Sequence, residues 1–334
     1  MNSSDRMNFY QNNDMQDYFR KQETERKLIK QVAVAVAVSM IVLIASSIAI
    51  GILVEIFIEI FGINYSYEKP NLETQLVGMV IYVLRMIIPA FVLCKIMEKK
   101  VAIKKMFQGG DPKITIISIP IVMMVALVSA VIVGIAVAFF QEIIGVMPQT
   151  PEFTVPEGNL AFVFYMINIM ILPAFLEEFL FRGIIMQSLR KIGDKTAIIV
   201  SSLLFSLVHA NLQQSIATFI LGIVIAYFVI KTESLWTGIL LHFINNSYAV
   251  VMGMISDNIA DPVILGMVGL AILSIIVISG IISIVIYKSI DKTAFKVYNK
   301  PSMFSTPMQV KHCLISVMLI PIAYFFTSIL SSFA

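Results

Sequence analysis

The stretch Asn159-Leu160-Ala161-Phe162-Val163-Phe164-Tyr165-Met166-Ile167-Asn168-Ile169-Met170-Ile171-Leu172-Pro173-Ala174-Phe175-Leu176-Glu177-Glu178-Phe179-Leu180-Phe181-Arg182-Gly183-Ile184-Ile185-Met186-Gln187 decides the fold. Its only charges are Glu177, Glu178 and Arg182, and apolar side chains fall on every face of a helix. A helix that is hydrophobic all round is buried in a large core or sits in a bilayer. Crossing the hydrocarbon core takes about 20 mostly apolar residues, and this run exceeds that length.

The same pattern recurs on both sides of it. Nine apolar segments lie near 31–54, 75–97, 114–140, 159–187, 196–210, 215–230, 234–252, 262–287 and 313–332. Of 334 residues 58% are hydrophobic and 13% charged, against about 25% charged in a soluble domain. No soluble core could bury so many runs. The reading is an all-α, polytopic membrane bundle of about nine transmembrane helices. The pair 196–230 is short enough to form a hairpin that does not cross fully.

Basic residues orient the bundle, because cytoplasmic connections carry the excess of lysine and arginine. Of the 24 basic residues, all but Lys69 and Arg85 fall in the N-terminal tail or in alternate connections, near 95–113, 182–195, 231 and 288–311. The opposite side carries acids such as Glu142, Glu152, Glu157, Asp257 and Asp261. The N-terminus is therefore expected inside, in the cell membrane. The chain divides into a polar tail at 1–30, helices at 31–154, a polar-bearing core at 155–255 and two last helices at 256–334. The tail is polar enough to be expected partly disordered, and it lacks the apolar core of a cleaved leader. Cys94 and Cys313 have no CxxC spacing and read as small apolar residues.

An ionisable group at membrane depth costs about 2.5–3.5 kcal/mol even on the mildest scale, so each one asks for a function. Besides the fourth segment, His209 ends the fifth, and His242, Asn245 and Asn246 lie in the seventh. Glu178 and Arg182 are four apart with the acid first, the favoured order for a helical ion pair. Glu177 then has no partner on its own helix. His242 and Asn246 share one face, with Asn245 displaced around the helix and read as interhelical glue. At about 1.5 Å per residue, Glu177, His209 and Asn246 lie roughly 20 Å from the basic side and His242 roughly 13 Å. Side chains from three helices thus meet at compatible depths. A desolvated carboxylate beside histidine suits general-base activation of water, and an adjacent His and Asn suit donation to an oxyanion.

At these residues the sequence resembles the CPBP family of CAAX proteases and bacteriocin-processing enzymes, also called the Abi family. It includes type II CAAX prenyl endopeptidases and lysostaphin-resistance-type proteins. The pattern EExxxR, FxxxH, HxxxN/B reads here as Glu177–Arg182, Phe205–His209 and His242–Asn246. The resemblance covers about 155–255 and implies an intramembrane endopeptidase. Glu177 would be its base, His209 the partner in activating water, and His242 and Asn246 the oxyanion site. Glu178 and Arg182 would support the motif. Substrates would be membrane-associated, lipidated or leader-bearing peptide precursors, approached from the cytoplasmic side. The partners are then peptide or membrane-anchored protein substrates and membrane lipids, with no nucleic acid.

No cofactor is expected. The competing arrangement is zinc held by Glu177, His209 and His242, but HExxH is absent and Asn246 suits an oxyanion donor better than a ligand. Two other functions fit parts of the pattern. One is a non-proteolytic membrane scaffold in bacteriocin immunity or resistance. The other is a channel or transporter, which would need a repeated half or a selectivity motif that the sequence does not show. Arg85, about ten residues from either end of its span, is expected to pair with a carboxylate or carbonyls.

Overall fold

The computed structural model describes residues 3–66, 70–97, 103–144, 154–299, 301–315 and 318–331, and among these it contains helices and no strand. The long elements are α1 (Ser3–Phe61), α2 (Leu72–Ile96), α3 (Pro112–Ile144), α4 (Asn159–Leu189), α5 (Asp194–Leu207), α6 (Leu212–Thr232), α7 (Leu235–Asn258) and α8 (Pro262–Ile290). They are followed by α9 (Thr306–Leu314) and α10 (Leu319–Ser331). The first eight apolar segments anticipated from sequence are helical, whereas the ninth, 313–332, is divided between α9 and α10 and includes positions 316, 317 and 332, which lie outside the described residues. Seven described helices are long and apolar enough to cross a membrane, or eight if α9 and α10, bent by 80°, count as one broken span.

The missing crossing is α5. Its 14 residues reach only about 21 Å, short of the roughly 30 Å hydrocarbon thickness. The chain turns back through Ala210, at φ 52°, and Asn211 caps α6 by accepting from the Gln214 N–H at 3.0 Å. The fifth and sixth segments therefore pair as a hairpin, but only α5 is too short to cross, since α6 with its 21 residues is among the seven long enough to do so. The polar tail differs from expectation, since α1 runs unbroken from Ser3. Glu25 accounts for part of this by accepting from the Ser302 hydroxyl and, at 2.8 Å, from the Met303 N–H. The Lys27–Glu23 pair at 2.8 Å is exposed and adds little.

Packing follows small residues. Ile29, Val32, Ala33, Val36, Ala37 and Met40 make one buried face of α1, which lies against α2. There the Ser39 hydroxyl donates to the Pro89 carbonyl at 2.9 Å. Helix α8 lies on α3 through Gly280, where an added Cβ would come 2.5 Å from the Met124 Cβ. Gly280→Val is therefore expected to destabilise the bundle by about 1–3 kcal/mol through overpacking. Thermal unfolding in detergent reads this, whereas the same change at Gly269, with nothing within 4 Å of its would-be Cβ, should do far less.

Ion pairs tie the basic end together. Arg190 reaches Asp194 at 2.9 Å and Glu233 at 2.8 Å, linking the α4–α5 turn to the α6–α7 turn. Lys231 meets Asp291 at 2.6 Å, joining the ends of α6 and α8. Hydrogen bonds from Lys231 and Thr293 hold the Asp291 carboxyl down at about 2. Because that value is depressed, the stabilisation is present above the ordinary carboxylate range and is lost as pH falls through about 2.

Helix α4 is irregular where it matters. Pro173 removes one backbone donor and crowds the carbonyl four residues back, and Ile167–Ile171 widens into a π turn just before it. A second π segment, Phe179–Ile185, spans Arg182. Such widened turns re-aim side chains without ending a helix.

Candidate active site

Glu177, His209, His242 and Asn246 all line one cavity of about 650 Å³, bounded by α2, α3, α4, α6, α7 and the end of α5. Side chains up to 69 residues apart in sequence are thus brought to one floor, as their matched depths anticipated. Glu178 and Arg182 do not line the cavity. They lie behind the floor, each with a fully buried side chain.

The hydrogen bonds assign each group its free valence. Arg182 Nη1 meets Glu178 Oε1 at 2.9 Å, so the expected pair within the helix is formed. The same oxygen lies 3.0 Å from His242 Nδ1. A carboxylate paired with arginine accepts, so His242 donates from Nδ1 and turns Nε2 toward Glu177 Oε2, 3.9 Å away. His209 Nδ1 lies 2.9 Å from the Phe205 carbonyl oxygen. A carbonyl can only accept, so Nδ1 carries the hydrogen and neutral His209 keeps a bare Nε2 lone pair. Each imidazole is therefore fixed through Nδ1 and leaves Nε2 for the cavity.

Phe205 is the hub of this arrangement. The Arg182 guanidinium lies 4.1 Å from its ring centroid, and both imidazoles meet the ring edge-on, His209 at 5.0 Å and His242 at 5.7 Å. Arg182 also donates from Nη2 to the Gly222 carbonyl at 3.3 Å. Two glycines make room. A Cβ on Gly238 would come 2.9 Å from Glu178 Oε2 and 2.7 Å from Val229 Cγ2, and one on Gly222 would meet Arg182 Nη2 at 3.1 Å. Gly238→Ala should displace the Glu178 carboxylate and with it His242. The expected result is a lower melting temperature in detergent than that of the wild type.

Glu177 is buried, with 8% of its surface exposed, so it does not reach out to the interface. Its Oε1 accepts from the Tyr82 hydroxyl, while Oε2 has no hydrogen-bond partner. Tyr82 belongs to α2, outside the segment that carries the motifs, and sequence reasoning missed it. A lone hydroxyl three residues before the unusual Arg85 was the available signal. Arg85 itself departs from expectation, because its Nε is buried without a partner and no carboxylate among the described residues pairs with it. Asn245 also departs from expectation. It lines the cavity and donates to Asn246 Oδ1 at 3.4 Å, with no interhelical bond among the described residues. That contact leaves the Asn246 amide N–H groups free to donate. Asn168 adds a further polar group, held by Gln75 through Nδ2 at 2.8 and 3.0 Å with its Oδ1 unpartnered.

The residues do not fit zinc. Among the described residues no three His, Cys, Asp or Glu side chains are grouped as a metal site. Tyr82 occupies one oxygen of Glu177, and His242 Nε2 lies 3.9 Å from Glu177 Oε2, wider than the roughly 3.3 Å between two ligands held tetrahedrally at about 2 Å from one ion.

Several buried apolar helices with a carboxylate–imidazole site at their centre define a polytopic membrane protein with a hydrolase-like floor. Residues 159–248 match the family described as type II CAAX prenyl endopeptidase Rce1-like. It is also similar to the protein named "Putative membrane peptidase YdiL" of Bacillus subtilis (strain 168), with 33% identity over 78 residues. That similarity covers 23% of this chain and 32% of the relative, so the chain spans about a third of the curated relative it matches. No solved structure matches the chain.

Proposed function

We propose that this chain is an intramembrane endopeptidase of the cell membrane that cleaves peptide precursors with water activated by Glu177 and His209. The observation that carries the proposal is the unpartnered Glu177 Oε2, 3.9 Å from His242 Nε2, on a residue that lines one cavity with His209, His242 and Asn246. Water held between Glu177 and the bare Nε2 of His209 loses a proton as its oxygen attacks the carbonyl carbon of the scissile bond. The negative oxygen of the tetrahedral intermediate takes hydrogen bonds from the Asn246 amide and from His242. His242 already donates Nδ1–H to Glu178, so donation from Nε2 requires its imidazolium form. Collapse of the intermediate breaks the C–N bond, and the proton taken from water goes to the leaving amine.

Tyr82 acts through Glu177 and is a positioning residue. Tyr82→Phe removes one hydrogen bond to a charged group, an interaction of about 1.5–3 kcal/mol. A kcat about tenfold or more lower is expected, with little change in KM or melting temperature. A matching rise in KM would place Tyr82 in substrate binding instead.

Metal-independent chemistry predicts that cleavage survives strong chelators. Stoichiometric zinc in purified protein, lost in His209→Ala, would overturn it. The test of the function as a whole compares peptides and membrane-protein termini from cells carrying the wild-type chain or Glu177→Ala at matched expression. A precursor that accumulates only with the variant, while its product disappears, supports proteolysis and identifies the substrate. Full rescue of a deletion phenotype by the variant would favour the scaffold role.

A further inference from the structure

The direction in which the cavity leaves its floor has a consequence for the substrate. On α7 its lining begins at His242 and continues through Asn246, Val250 and Met254 to Asp257. On α4 it runs from Glu177 back to Tyr165, and Val155 adds to its far rim. On α6 it runs from Leu221 to Gln214, toward the α5–α6 turn. From the floor formed by Glu177 and His242, the lining on each of these helices continues away from the basic connections. The far lining is exposed at Val155, Gly253, Met254 and Asp257.

The basic end is closed. Behind Glu177 stand Glu178 and Arg182, both 0% exposed. A separate hollow of about 60 Å³ enters from that end beside Lys105, Gln187 and Glu233 and stops at Arg182. The ion pairs of Arg190 and Lys231 bind the turns around it. A peptide arriving from the basic side would have to break a buried ion pair, which costs about 3–5 kcal/mol when one partner is lost. The other side offers a cavity within the range of 300–1,000 Å³ typical of ligand sites. Its walls include Met123, Leu127, Met166, Ile169 and Val250.

We propose that substrate reaches Glu177 from the face opposite the basic connections, as an apolar peptide segment presented on the outer side of the membrane. This rests on the reading of Glu177 as the catalytic base, and it replaces the cytoplasmic approach expected from sequence. A tail confined to the cytoplasm would then not be a substrate.

Side-specific thiol labelling tests it in the full chain in intact cells. Both native thiols are first removed as Cys94→Ala and Cys313→Ala. Single cysteines are then placed in the cavity (Thr218→Cys), at its mouth (Met254→Cys) and on the basic side (Lys296→Cys). A membrane-impermeant, negatively charged methanethiosulfonate is added outside, before or after permeabilisation. The expected result is that Thr218→Cys and Met254→Cys react in intact cells at least tenfold faster than Lys296→Cys, which reacts only after permeabilisation. Labelling of Thr218→Cys only together with Lys296→Cys overturns the proposal, and so does a Thr218→Cys that stays unreactive in both conditions while Met254→Cys reacts. Labelling needs no cleavage and is to be repeated with Glu177→Gln, so access can fail while the catalytic reading stands, or the reverse.

Discussion

Glu177→Gln is expected to lower peptide cleavage by about 10²–10⁴-fold, the contribution of a positioned general base, while the protein inserts and unfolds as the wild type does. The amide is nearly isosteric with the carboxylate and can still accept from the Tyr82 hydroxyl through its oxygen. What it loses is the basic Oε2, the atom left without a partner at the cavity floor. His209 cannot take over the whole task, because its Nδ1 is committed to the Phe205 carbonyl and only one lone pair remains. Single-turnover cleavage of a substrate identified by terminal proteomics is the measurement. Cleavage within a factor of three of wild type would remove Glu177 from the chemistry.

The second large effect concerns stability. Arg182→Met should cost about 3–5 kcal/mol, because it leaves the Glu178 carboxylate buried without its counter-ion. It also removes the contact over the Phe205 ring and the bond to the Gly222 carbonyl. The double change Glu178→Met with Arg182→Met is expected to recover most of that stability, since a buried pair replaced by apolar groups of similar volume is often neutral or better. It should not recover activity. His242 would then have lost the acceptor that fixes its Nδ1 and sets its orientation. Thermal unfolding in detergent, paired with cleavage rates, separates the two roles. Restored activity in the double variant would show that Glu178 and Arg182 only hold the helix together.

The comparison of sequence with structure divides along physical lines. Glu178 and Arg182 were legible as a pair because helix spacing alone puts i and i+4 side by side. His242 and Asn246 were legible for the same reason, and the first eight apolar segments appear as helices because hydrophobic length is a local property. Tyr82 was not legible. Its role depends on α2 lying beside α4, a contact between segments 95 residues apart, and a tyrosine in an apolar span carries no mark of its partner. Asn245 and Arg85 were assigned partners that the packing does not provide, since which neighbour faces a buried polar group is decided by the neighbouring helix.

The sequence by itself determined that this is a membrane-embedded helical protein, which side of it is basic, and which three helices bring ionisable groups to one depth. Those are consequences of hydrophobic length, charge distribution and the fixed rise of a helix. Only the tertiary structure decided that Glu178 reaches across to His242, that Phe205 is surrounded by both imidazoles and a guanidinium, and that the cavity opens away from the basic end. These depend on how far each helix reaches and what it packs against, which no local feature of the sequence encodes.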